Sequence, residues 1–561
     1  MTRSELELPA IPSGRPNLVI TGFMASGKTT VGRLAAQLLE MPFFDLDTEL
    51  ELAVGERIPD LLGRRGEPWF REEEAKLMLE ASRLSGCVIA TGGGAVLSPE
   101  AFAQLAGSGV GLVLGADPAE LIGRAGNGQG RPMLEGLAEE GILRLLADRE
   151  TAYSRAGEPL DTTGLAPSAV ADLAVAAYRR RGGGEVAMIP IAGDGWQTDL
   201  VVGGGAVGQI SQALARTIPS SGRAFVVMDS GLPRSSRLLV PDLLRQAGWD
   251  VSVLDVAGGE PAKTLASLAR VWSWLLELSA ERHDVLFAVG GGAVLDAAGF
   301  AAATFARGIA HVNVPTTVLA MADAALGGKT AINHDGVKNP VGAFRHPVAV
   351  IADPHLLGSM DRPGARDGLA EVIKSVTLGA RLVVRRMAHE DADPAAGSRV
   401  GWLIEQAIRI KAGYVAADPA ERGLRAALNL GHTYAHGLEA ASGYEISHGE
   451  AVALGLLASA SLGASLEITP NEVGDLLRRA LTRARLPASL PYAVDPTAVA
   501  AAMGRDKKRE ASQMVFLVPG VREGVVRVDD VGLDTALEHL WELQTPAPSW
   551  VPHAADEGRA G

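Results

Sequence analysis

Cysteine is almost absent from this chain of 561 residues, which contains only Cys87. An intramolecular disulfide and a cysteine-rich zinc site are therefore excluded. Cys87 opens the apolar run of residues 87–90, so we expect its thiol to be buried and unreactive.

Basic residues are also in short supply, with 52 Lys and Arg against 66 Asp and Glu, which gives a formal charge of −14. Binding to a nucleic-acid backbone requires an excess of cations, so we expect no nucleic-acid partner. Local basic pockets for small anions remain compatible with this charge. Because 47% of the residues are hydrophobic and 21% are charged, the composition is that of a globular protein and not of a disordered acidic chain.

Long hydrophobic runs are missing too. The longest uncharged apolar stretch, residues 451–466, contains glycines and serines and is shorter than the ~20 residues that cross a bilayer. It predicts a buried helix. The first 16 residues include two glutamates and no apolar core of a signal peptide. We therefore expect a cytoplasmic protein without a membrane partner.

Apolar segments alternate with helical patterns in the first third of the chain, which predicts a parallel α/β sheet. The segments that predict strands are residues 17–20, 87–90 and 110–114, with a helix at 31–39 and another helix start at 117–118. Three arginines and three glycines at residues 179–184 end this pattern and predict a linker.

A second α/β pattern follows the linker. Its predicted strands are residues 199–202, 224–228, 251–256 and 285–289, and from about Asp367 to Gln544 helical segments dominate. The predicted organisation is a P-loop domain at 1–180, a linker at 181–187, a nucleotide-binding α/β domain at 188–365, a mostly helical domain at 366–545 and a flexible tail at 546–561.

Residues 22–29, GFMASGKT, form a P-loop between a predicted strand and a predicted helix. Backbone N–H groups of such a loop bind nucleotide phosphates, helped by the positive end of the helix. We expect Gly27, Lys28, Thr29 and Thr30 to bind ATP, with Lys28 at the β- and γ-phosphates and the Thr29 hydroxyl on Mg²⁺.

Three further features bear on the phosphoryl acceptor. Asp45 and Asp47 follow the apolar residues 42–44, where carboxylates can serve Mg²⁺ through water and bind a substrate hydroxyl. Arg71 offers a bidentate partner for a carboxylate. Residues 91–95, TGGGA, expose backbone to a ligand. Each of these features alone is also compatible with a helix cap, a surface arginine or a turn.

In this order the motifs resemble shikimate kinase over most of residues 15–165: GFMASGKT, FFDLD, GEPWFR, ATGGGAV, RPML and RETAY. The resemblance implies that Asp47, Arg71, Gly93 and Arg149 bind shikimate, with Asp47 as base and the arginines on the carboxylate. It also implies that Arg131 closes over ATP from a flexible lid at residues 126–130. Ala25 stands where the family often has glycine. Another small-molecule P-loop kinase, such as a gluconate kinase, is the alternative, but paired arginines suit a carboxylate acceptor better.

A second group of residues points to a metal. His432 and His436 are four residues apart and share a helix face, His448 follows, and Glu371 supplies a carboxylate. Two histidines and one glutamate with an open position predict a divalent transition metal such as zinc. Spacing alone does not decide which histidines bind, and the simplest pairing is His432 with His436.

Glycine turns and a basic stretch accompany this group. Residues 290–292 are three glycines after a strand, but the third glycine of a dinucleotide fingerprint is missing, and the turn at 258–263 is a weaker signal. Residues 315–339 are dense in polar and basic side chains, which indicates an anion site.

This second pattern resembles 3-dehydroquinate synthase over nearly all of residues 190–540, through the motifs GGGAVLD, PTTVLA, GGKTAINH, KNPVGAF, GLAEVIK, GLRAALNLGHTYAH and SHGEAVALG. The resemblance implies an α/β nucleotide domain and a helical metal domain with the active site between them. It assigns Zn²⁺ or Co²⁺ to Glu371, His432 and His448, and it places His436 beside the leaving phosphate instead of on the metal.

The resemblance also implies two sets of ligand contacts. Its NAD contacts are Asp229, Glu260, Lys263, Gly291, Gly292, Asp296, Thr316, Thr317 and Lys338. Its substrate and catalytic contacts are Arg307, Asp323, Lys329, Lys338, Asn339, Lys374, Lys411, Arg425, Asn429, His436 and a lysine of the pair Lys507 and Lys508, of which we favour Lys507.

Two departures from the synthase pattern stand out. Where the family reads close to Gln-Val-Asp-Ser-Ser, residues 321–325 read Met-Ala-Asp-Ala-Ala, and Ser230 and Gly231 lack the frequent asparagine. Related sugar-phosphate cyclases share most of the motifs, so another cyclase is one alternative. A degenerate regulatory module in one half is a second, and a nucleotide-binding scaffold without activity is a more distant third. We expect a bifunctional enzyme of the shikimate pathway that acts on small molecules and forms a homodimer through the synthase half.

Overall fold

The computed structural model describes residues 3–125, 139–215, 218, 222–359, 362–390, 393, 397–490, 494–510 and 514–544. The predicted lid, Arg131 and the predicted tail at 546–561 lie outside these ranges. The chain divides into two compact units. We call Ser13–Glu185 the upstream unit, and Met1–Pro12 together with Val186–Gly561 the downstream unit. The first strand of the chain, β1 (Arg3–Leu6), thus belongs to the downstream unit.

A parallel five-stranded sheet forms the centre of the upstream unit. Its strands are β2 (Asn17–Gly22), β3 (Phe43–Asp45), β4 (Val88–Ala90), β5 (Gly109–Gly115) and β6 (Glu158–Asp161), in the order β3-β4-β2-β5-β6. Its helices are α1 (Lys28–Leu39), α2 (Leu46–Val54), α3 (Ile58–Arg65), α4 (Glu67–Ser82), α5 (Pro99–Gly107), α6 (Pro118–Ala125), α7 (Glu139–Ser154) and α8 (Pro167–Arg180).

The core of the upstream unit explains why this order is stable. Central strand β2 is buried along its whole length, and α1 and α8 contribute the apolar residues of one layer, including Tyr178. This burial on both faces is what near-continuous apolar strands predict for a parallel sheet. Cys87 is buried, as predicted, with its Sγ 3.1 Å from Oδ1 of Asn17.

Seven strands form the main sheet of the downstream unit. In chain order the strands of this region are β7 (Val186–Gly193), β8 (Trp196–Gly203), β9 (Arg223–Asp229), β10 (Asp250–Val256), β11 (Val285–Gly290), β12 (Ala310–Pro315), β13 (Lys329–His334), β14 (Val337–Phe344) and β15 (Ala349–Ala352). The sheet order is β10-β9-β11-β12-β15-β8-β7, with only the β7–β8 pair antiparallel, while β13 and β14 form a separate hairpin.

The strand order of this sheet reverses between β9 and β11, because β10 lies on one side of β9 and β11 on the other. A reversal of this kind opens a crevice at the carboxyl ends of the strands, where doubly wound folds bind nucleotides. The helices of this part are α9 (Ile210–Leu214), α10 (Arg234–Gln246), α11 (Leu265–Glu277) and α12 (Gly292–Thr304).

Helices dominate after the last strand of that sheet, as predicted. They are α13 (Arg362–Gly379), α14 (Arg381–His389), α15 (Gly397–Ala417), α16 (His432–Ala441), α17 (His448–Ser465), α18 (Asn471–Arg483), α19 (Pro496–Glu510) and α20 (Leu533–Trp541). The predicted buried helix is α17, whose side chains are buried from Gly449 to Ala460. Within the described ranges, no helix combines the length and the apolar character that crossing a membrane requires.

A small antiparallel sheet interrupts the helical region. Strands β16 (Val515–Pro519) and β17 (Val525–Asp529) pair with each other, and β1 pairs with the free edge of β17. Here the structure differs from the predicted boundary of 1–180, because the backbone of β1 pairs with a strand more than 500 residues away. The first twelve residues lie with the downstream unit for this reason.

Candidate active sites

The P-loop of the upstream unit connects β2 to α1. Gly27 precedes α1 with a φ of +93°, and no side chain caps the helix, so the first N–H groups of α1 face outward to accept an anion. The Lys28 ammonium donates hydrogen bonds of 3.0 Å to the carbonyl oxygens of Gly22 and Phe23. Lys28 is thereby held over the loop that a phosphate would enter.

Hard oxygen ligands lie together at the start of α1 and the end of β3. The Thr29 hydroxyl donates a 2.6 Å hydrogen bond to Oδ2 of Asp45, and the other oxygen of Asp45 accepts from the backbone N–H groups of Asp47 and Thr48. A hydroxyl beside a carboxylate suits Mg²⁺, which prefers oxygen ligands and keeps several waters.

The carboxylate of Asp47 has an unusual environment. Burial, with the nearby negative charges of Asp45 and Glu74, raises the pKa of Asp47 from 3.8 to about 7. A methyl group built on Gly92 would lie 2.7 Å from Oδ1 of Asp47, so bare backbone closes this side of the carboxylate. A carboxylate with a pKa near neutrality is suited to accept a proton at physiological pH.

Two arginines lie on the same cavity. Arg71 is paired through Nη1 with Oε2 of Glu74 at 2.7 Å, and through Nη2 with Oε1 of Glu67 at 3.1 Å. Arg149 donates from Nη1 to the carbonyl oxygen of Gly93 at 3.0 Å. Both guanidinium groups are therefore fixed by protein oxygens, which prepares them to bind a planar anion.

A cavity of 510 Å³ brings these groups together. The predicted residues that line it are Gly27, Lys28, Thr29, Thr30, Asp47, Arg71, Gly93 and Arg149. The cavity thus combines a phosphate-binding loop, a base and the two predicted acceptor-binding arginines, which are the groups needed to transfer a phosphoryl group to an anionic acceptor.

Among the side chains of this cavity region that sequence reasoning missed, three can contact ligand groups or orient the predicted residues. Glu74 is 3% exposed and orients Arg71 from one helical turn away. Tyr153 donates a 2.6 Å hydrogen bond to the same Gly93 oxygen as Arg149, which precedes it by four residues on α7. Arg124 also lines the cavity. For Glu74 and Tyr153, the helical spacing to an already suspected arginine was the signal that could have found them.

The metal residues of the downstream unit come from three helices. Glu371 of α13, His432 of α16 and His448 of α17 place one ligand atom each within 4.8 Å of one another. Oε1 of Glu371 lies 3.1 Å from Nε2 of His448 and 3.3 Å from Nε2 of His432. Two imidazoles and a carboxylate around one point form a donor set suited to Zn²⁺ or Co²⁺, with a position left for substrate.

Surrounding charges also favour a cation at this point. Burial disfavours the charged imidazole, but the carboxylates of Glu371 and Glu439 outweigh it and raise the pKa of His448 to about 10. Glu439 lies 3.4 Å from Nδ1 of His448, on the side away from Glu371, and orients the ring. His436 is outside the three-residue cluster, and its ring centroid lies 5.6 Å from that of His432.

Asp323 connects two of the predicted lysines. Its Oδ1 lies 2.7 Å from Nζ of Lys411 and 3.9 Å from Nζ of Lys374, which also pairs with Glu371. Burial works to raise the pKa of Asp323, but the two lysines outweigh it and hold this pKa below its usual value. The metal cluster is therefore continuous with a charged network of Asp323, Lys374 and Lys411.

Further predicted residues surround Glu421, which sequence reasoning missed. Lys329 forms an ion pair with Glu421, and Asn429 donates to the same carboxylate at 3.1 Å. Arg425 donates to the carbonyl oxygen of Pro419 at 2.8 Å. A glutamate in the stretch just before Arg425, among so many cations, was the only hint in the sequence.

The remaining substrate residues lie on a hairpin, a turn and a helix. Lys338 of β14 is stacked over the ring of Tyr444, 4.2 Å from its centroid, and Asn339 has a φ of +57°. Arg307 is exposed and has a φ of +63°, at the turn before β12. Lys507 and Lys508 belong to α19, but their side chains lie outside the described part of the chain.

The predicted NAD residues gather at the carboxyl ends of neighbouring strands. Asp229 ends β9, Gly291 and Gly292 follow β11, and Thr316 and Thr317 follow β12. These three strands are adjacent, and the crevice at the reversal of strand order lies between the first two. No side chain caps the start of α12, so the N–H groups of its first two residues are available to a pyrophosphate.

Two side-chain pairs complete this nucleotide region. Nζ of Lys263 lies 2.6 Å from Oδ2 of Asp296, and Asn333 of β13 donates to Glu260. Lys263 is buried, and burial raises the pKa of Asp296 while Lys263 opposes that rise. These residues therefore have partners before any nucleotide binds.

Comparison with known proteins assigns families to both units. The shikimate kinase family model matches residues 24–178, and models for the N-terminal and C-terminal parts of 3-dehydroquinate synthase match residues 253–366 and 368–509. The 3-dehydroquinate synthase of a Synechococcus species is 39% identical over 311 residues, which are 54% of this chain and 84% of that protein. The 3-dehydroquinate synthase of Symbiobacterium thermophilum is 38% identical over 342 residues, 60% of this chain and 94% of that protein.

A solved structure shares the fold of the downstream unit. The 2-epi-5-epi-valiolone synthase of Streptomyces hygroscopicus subsp. jinggangensis is 24% identical, with a TM-score of 0.55, and the match covers 62% of this chain and 96% of that one. The chain belongs to the 3-dehydroquinate synthase family and carries a shikimate kinase domain ahead of the main part of the synthase.

Proposed function

We propose that the upstream unit transfers the γ-phosphoryl group of ATP to a hydroxyl of shikimate. The observation that supports this is the single cavity in which the P-loop, Asp47 and the two arginines meet. Arg71 and Arg149 bind the carboxylate of shikimate, and Lys28 with the N–H groups of α1 binds the phosphates. Asp47 takes the proton of the attacking hydroxyl as the new phosphate ester forms and ADP leaves. Thr29 would hold Mg²⁺ beside the phosphates, where the bound ion would neutralise phosphate charge.

For the downstream unit we propose the conversion of 3-deoxy-D-arabino-heptulosonate 7-phosphate to 3-dehydroquinate and phosphate. The observation that supports it is the cluster of Glu371, His432 and His448, joined through Lys374 to Asp323 and Lys411. NAD, when bound, supplies reversible hydride transfer, so it is not consumed overall. A divalent metal, when bound, lowers the pKa of the substrate hydroxyl that is oxidised.

This chain's own residues bind and orient the substrate in that proposal. The cationic side chains of Lys374, Lys411 and Arg425 are buried and suit the phosphate and carboxylate of the substrate. In this proposal His436, whose ring lies beside that of His432, contacts the phosphate as it leaves. The homodimer expected through this unit stays a prediction.

Two alternatives compete with this assignment. The downstream unit could act on another sugar phosphate, as related cyclases do, but the relatives at 38–39% identity are named 3-dehydroquinate synthase. One unit could instead be a regulatory module without activity. The predicted kinase residues, including Lys28 and Asp47, and the predicted metal ligands, including Glu371 and His448, are all present. Their presence argues against a loss of activity in either unit.

Product analysis of the purified full chain, given each substrate separately, tests both assignments. Lys28→Ala is expected to abolish only ATP-dependent phosphorylation, and His432→Ala only the formation of 3-dehydroquinate. Exposed residues of the same types provide matched controls, Lys76→Ala and His283→Ala, which are expected to leave both products unchanged. Loss of both products in Lys28→Ala would show that the two sites are not independent, and a different carbocycle would identify another cyclase.

A further inference from the structure

The first strand of the chain pairs with a strand of the main part of the downstream unit. Residues Arg3 to Leu6 pair antiparallel with Val528 to Val525, so β1 extends the β16–β17 hairpin to three strands. A two-stranded hairpin is marginal on its own, and a third strand stabilises it. We call residues 3–12 the N-terminal arm.

After β1, the arm packs against α13 and α15 at a glycine of each helix. A methyl group built on Gly379, at the end of α13, would lie 3.1 Å from Cδ1 of Leu8 and 3.2 Å from Cδ1 of Ile11. One built on Gly413 of α15 would lie 2.8 Å from the carbonyl oxygen of Ala10. The two glycines thus leave space at the helix surfaces that the arm occupies.

The end of the arm provides a partner for a buried charge. Arg409 of α15 is 4% exposed, and its Nε donates a 2.9 Å hydrogen bond to the carbonyl oxygen of Pro12. A buried guanidinium is costly unless its donors are paired. The carbonyl of the arm therefore contributes to holding α15 in place.

Both helices that the arm contacts carry predicted active-site residues. Glu371 and Lys374 lie on α13, and Lys411 lies on α15 between Arg409 and Gly413. Because Lys411 lies on α15, its ion pair with Asp323 depends on the position of this helix. In chain order the kinase domain separates the arm from the rest of the synthase.

We propose that the N-terminal arm is a positioning element of the synthase, which holds α13 and α15 so that Glu371, Lys374 and Lys411 keep their places. The kinase domain is then an insertion in the synthase and not a domain placed before it. A test of this proposal by synthase activity rests on the proposed synthase reaction, whereas a test by binding of an arm peptide does not.

Deletion of residues 2–12 from the full chain tests the proposal. We expect kcat/KM of the synthase to fall about ten- to a hundredfold, the size of effect that misplaced groups produce, while kcat/KM of the kinase stays unchanged. A peptide of residues 3–12 should restore the synthase in a saturable way, and a scrambled peptide should not. Unchanged synthase activity in the deletion variant would refute the positioning role. So would a loss of activity that the peptide does not restore, although fluorescence anisotropy shows that the labelled peptide binds. If the peptide does not bind to the deletion variant, the proposed contact between the arm and the helices is wrong. This outcome can be read even if the wild-type chain makes no dehydroquinate.

Point variants in the intact chain guard against a deletion that does not fold. Neighbouring strand residues point their N–H groups in opposite directions, so of Ser4→Pro and Glu5→Pro at least one must remove a ladder hydrogen bond. That variant should lower synthase kcat/KM, whereas Ser4→Ala and Glu5→Ala, at the same exposed positions, should not. Full synthase activity in both proline variants would overturn the proposal.

Discussion

Oε1 of Glu371 lies 3.1 Å from Nε2 of His448, although 77 residues separate the two in the chain. Because His432 lies at a similar distance from the same oxygen, we expect one divalent metal per chain on these three residues. Glu371→Gln and His448→Gln should each lose the metal, measured by elemental analysis after dialysis, and should lose synthase activity with it.

The matched control for these variants is His436→Gln, which changes a histidine next to the cluster but outside it. It should retain the metal, although it lowers synthase turnover. Kinase activity, measured with Mg²⁺ in excess, should be unchanged in all three variants. Metal loss in His436→Gln with retention in His448→Gln would instead support the pairing of His432 with His436.

The raised pKa of Asp47 predicts that the kcat/KM of the kinase falls at acidic pH, and we call this fall the acid limb of the pH profile. With a pKa of about 7 in the free enzyme, the carboxyl is protonated below neutrality and cannot take the proton of the attacking hydroxyl. We expect kcat/KM for shikimate to fall about tenfold per pH unit below about pH 7. Glu74→Gln removes a repulsive charge and should move this limb to lower pH, and a limb that stays in place would show that Asp47 is not the titrating group.

The same carboxylate should limit stability at higher pH. Its pKa is about 7 when folded and 3.8 in the unfolded reference, so the folded state binds the proton more tightly. That stabilisation is complete below pH 3.8 and is lost as the pH rises through about 7. At about 1.4 kcal/mol per pKa unit, the loss reaches roughly 4 kcal/mol.

Asp47→Asn therefore should stabilise the upstream unit at alkaline pH while it abolishes phosphorylation. The amide is neutral at every pH, so the gain should be roughly 4 kcal/mol at most above neutrality and much smaller in acid. Calorimetry of the kinase transition on both sides of pH 7 measures the difference. Equal effects at both pH values would show that the change does not come from ionisation.

Sequence motifs supplied candidate residues for both sites, some from their own chemistry and others only through the resemblance to the two families. The P-loop and Arg71 could be predicted from local residues, whereas Arg149 followed from the resemblance to shikimate kinase, and the cavity brings them together. Glu421, in contrast, takes part through contacts with Lys329 and Asn429, which are far from each other in the chain. Apart from its position just before Arg425, nothing local distinguishes such a glutamate from a surface residue.

Polar strands were harder to predict than apolar ones. Sequence patterns predicted an anion site at residues 315–339 but no strands there, whereas the structure forms the hairpin of β13 and β14. Asp335 and Gly336 between these strands both have positive φ, as the tight hairpin turn requires. That Asp-Gly pair was a usable signal. The arm had none, because a four-residue exposed strand has no apolar pattern and its partner strand is more than 500 residues away.

Ala25 stands in the P-loop with a φ of +65°, in the left-handed region where a Cβ atom is disfavoured. Glycine adopts this conformation without that penalty, although it gains entropy in the unfolded chain. On balance we expect Ala25→Gly to stabilise the upstream unit by about 0.5–1 kcal/mol, measured by chemical denaturation followed through kinase activity.

An alanine with ordinary helical backbone provides the matched control for Ala25→Gly. Ala75 lies in the interior of α4, where glycine costs about 1 kcal/mol, so Ala75→Gly should destabilise the same unit. Opposite signs for the two substitutions would trace the effect to the backbone angle of residue 25. If Ala25→Gly destabilised the unit as Ala75→Gly does, the loop would have to adopt another conformation in solution, and the N–H groups of α1 would no longer be aligned for phosphate.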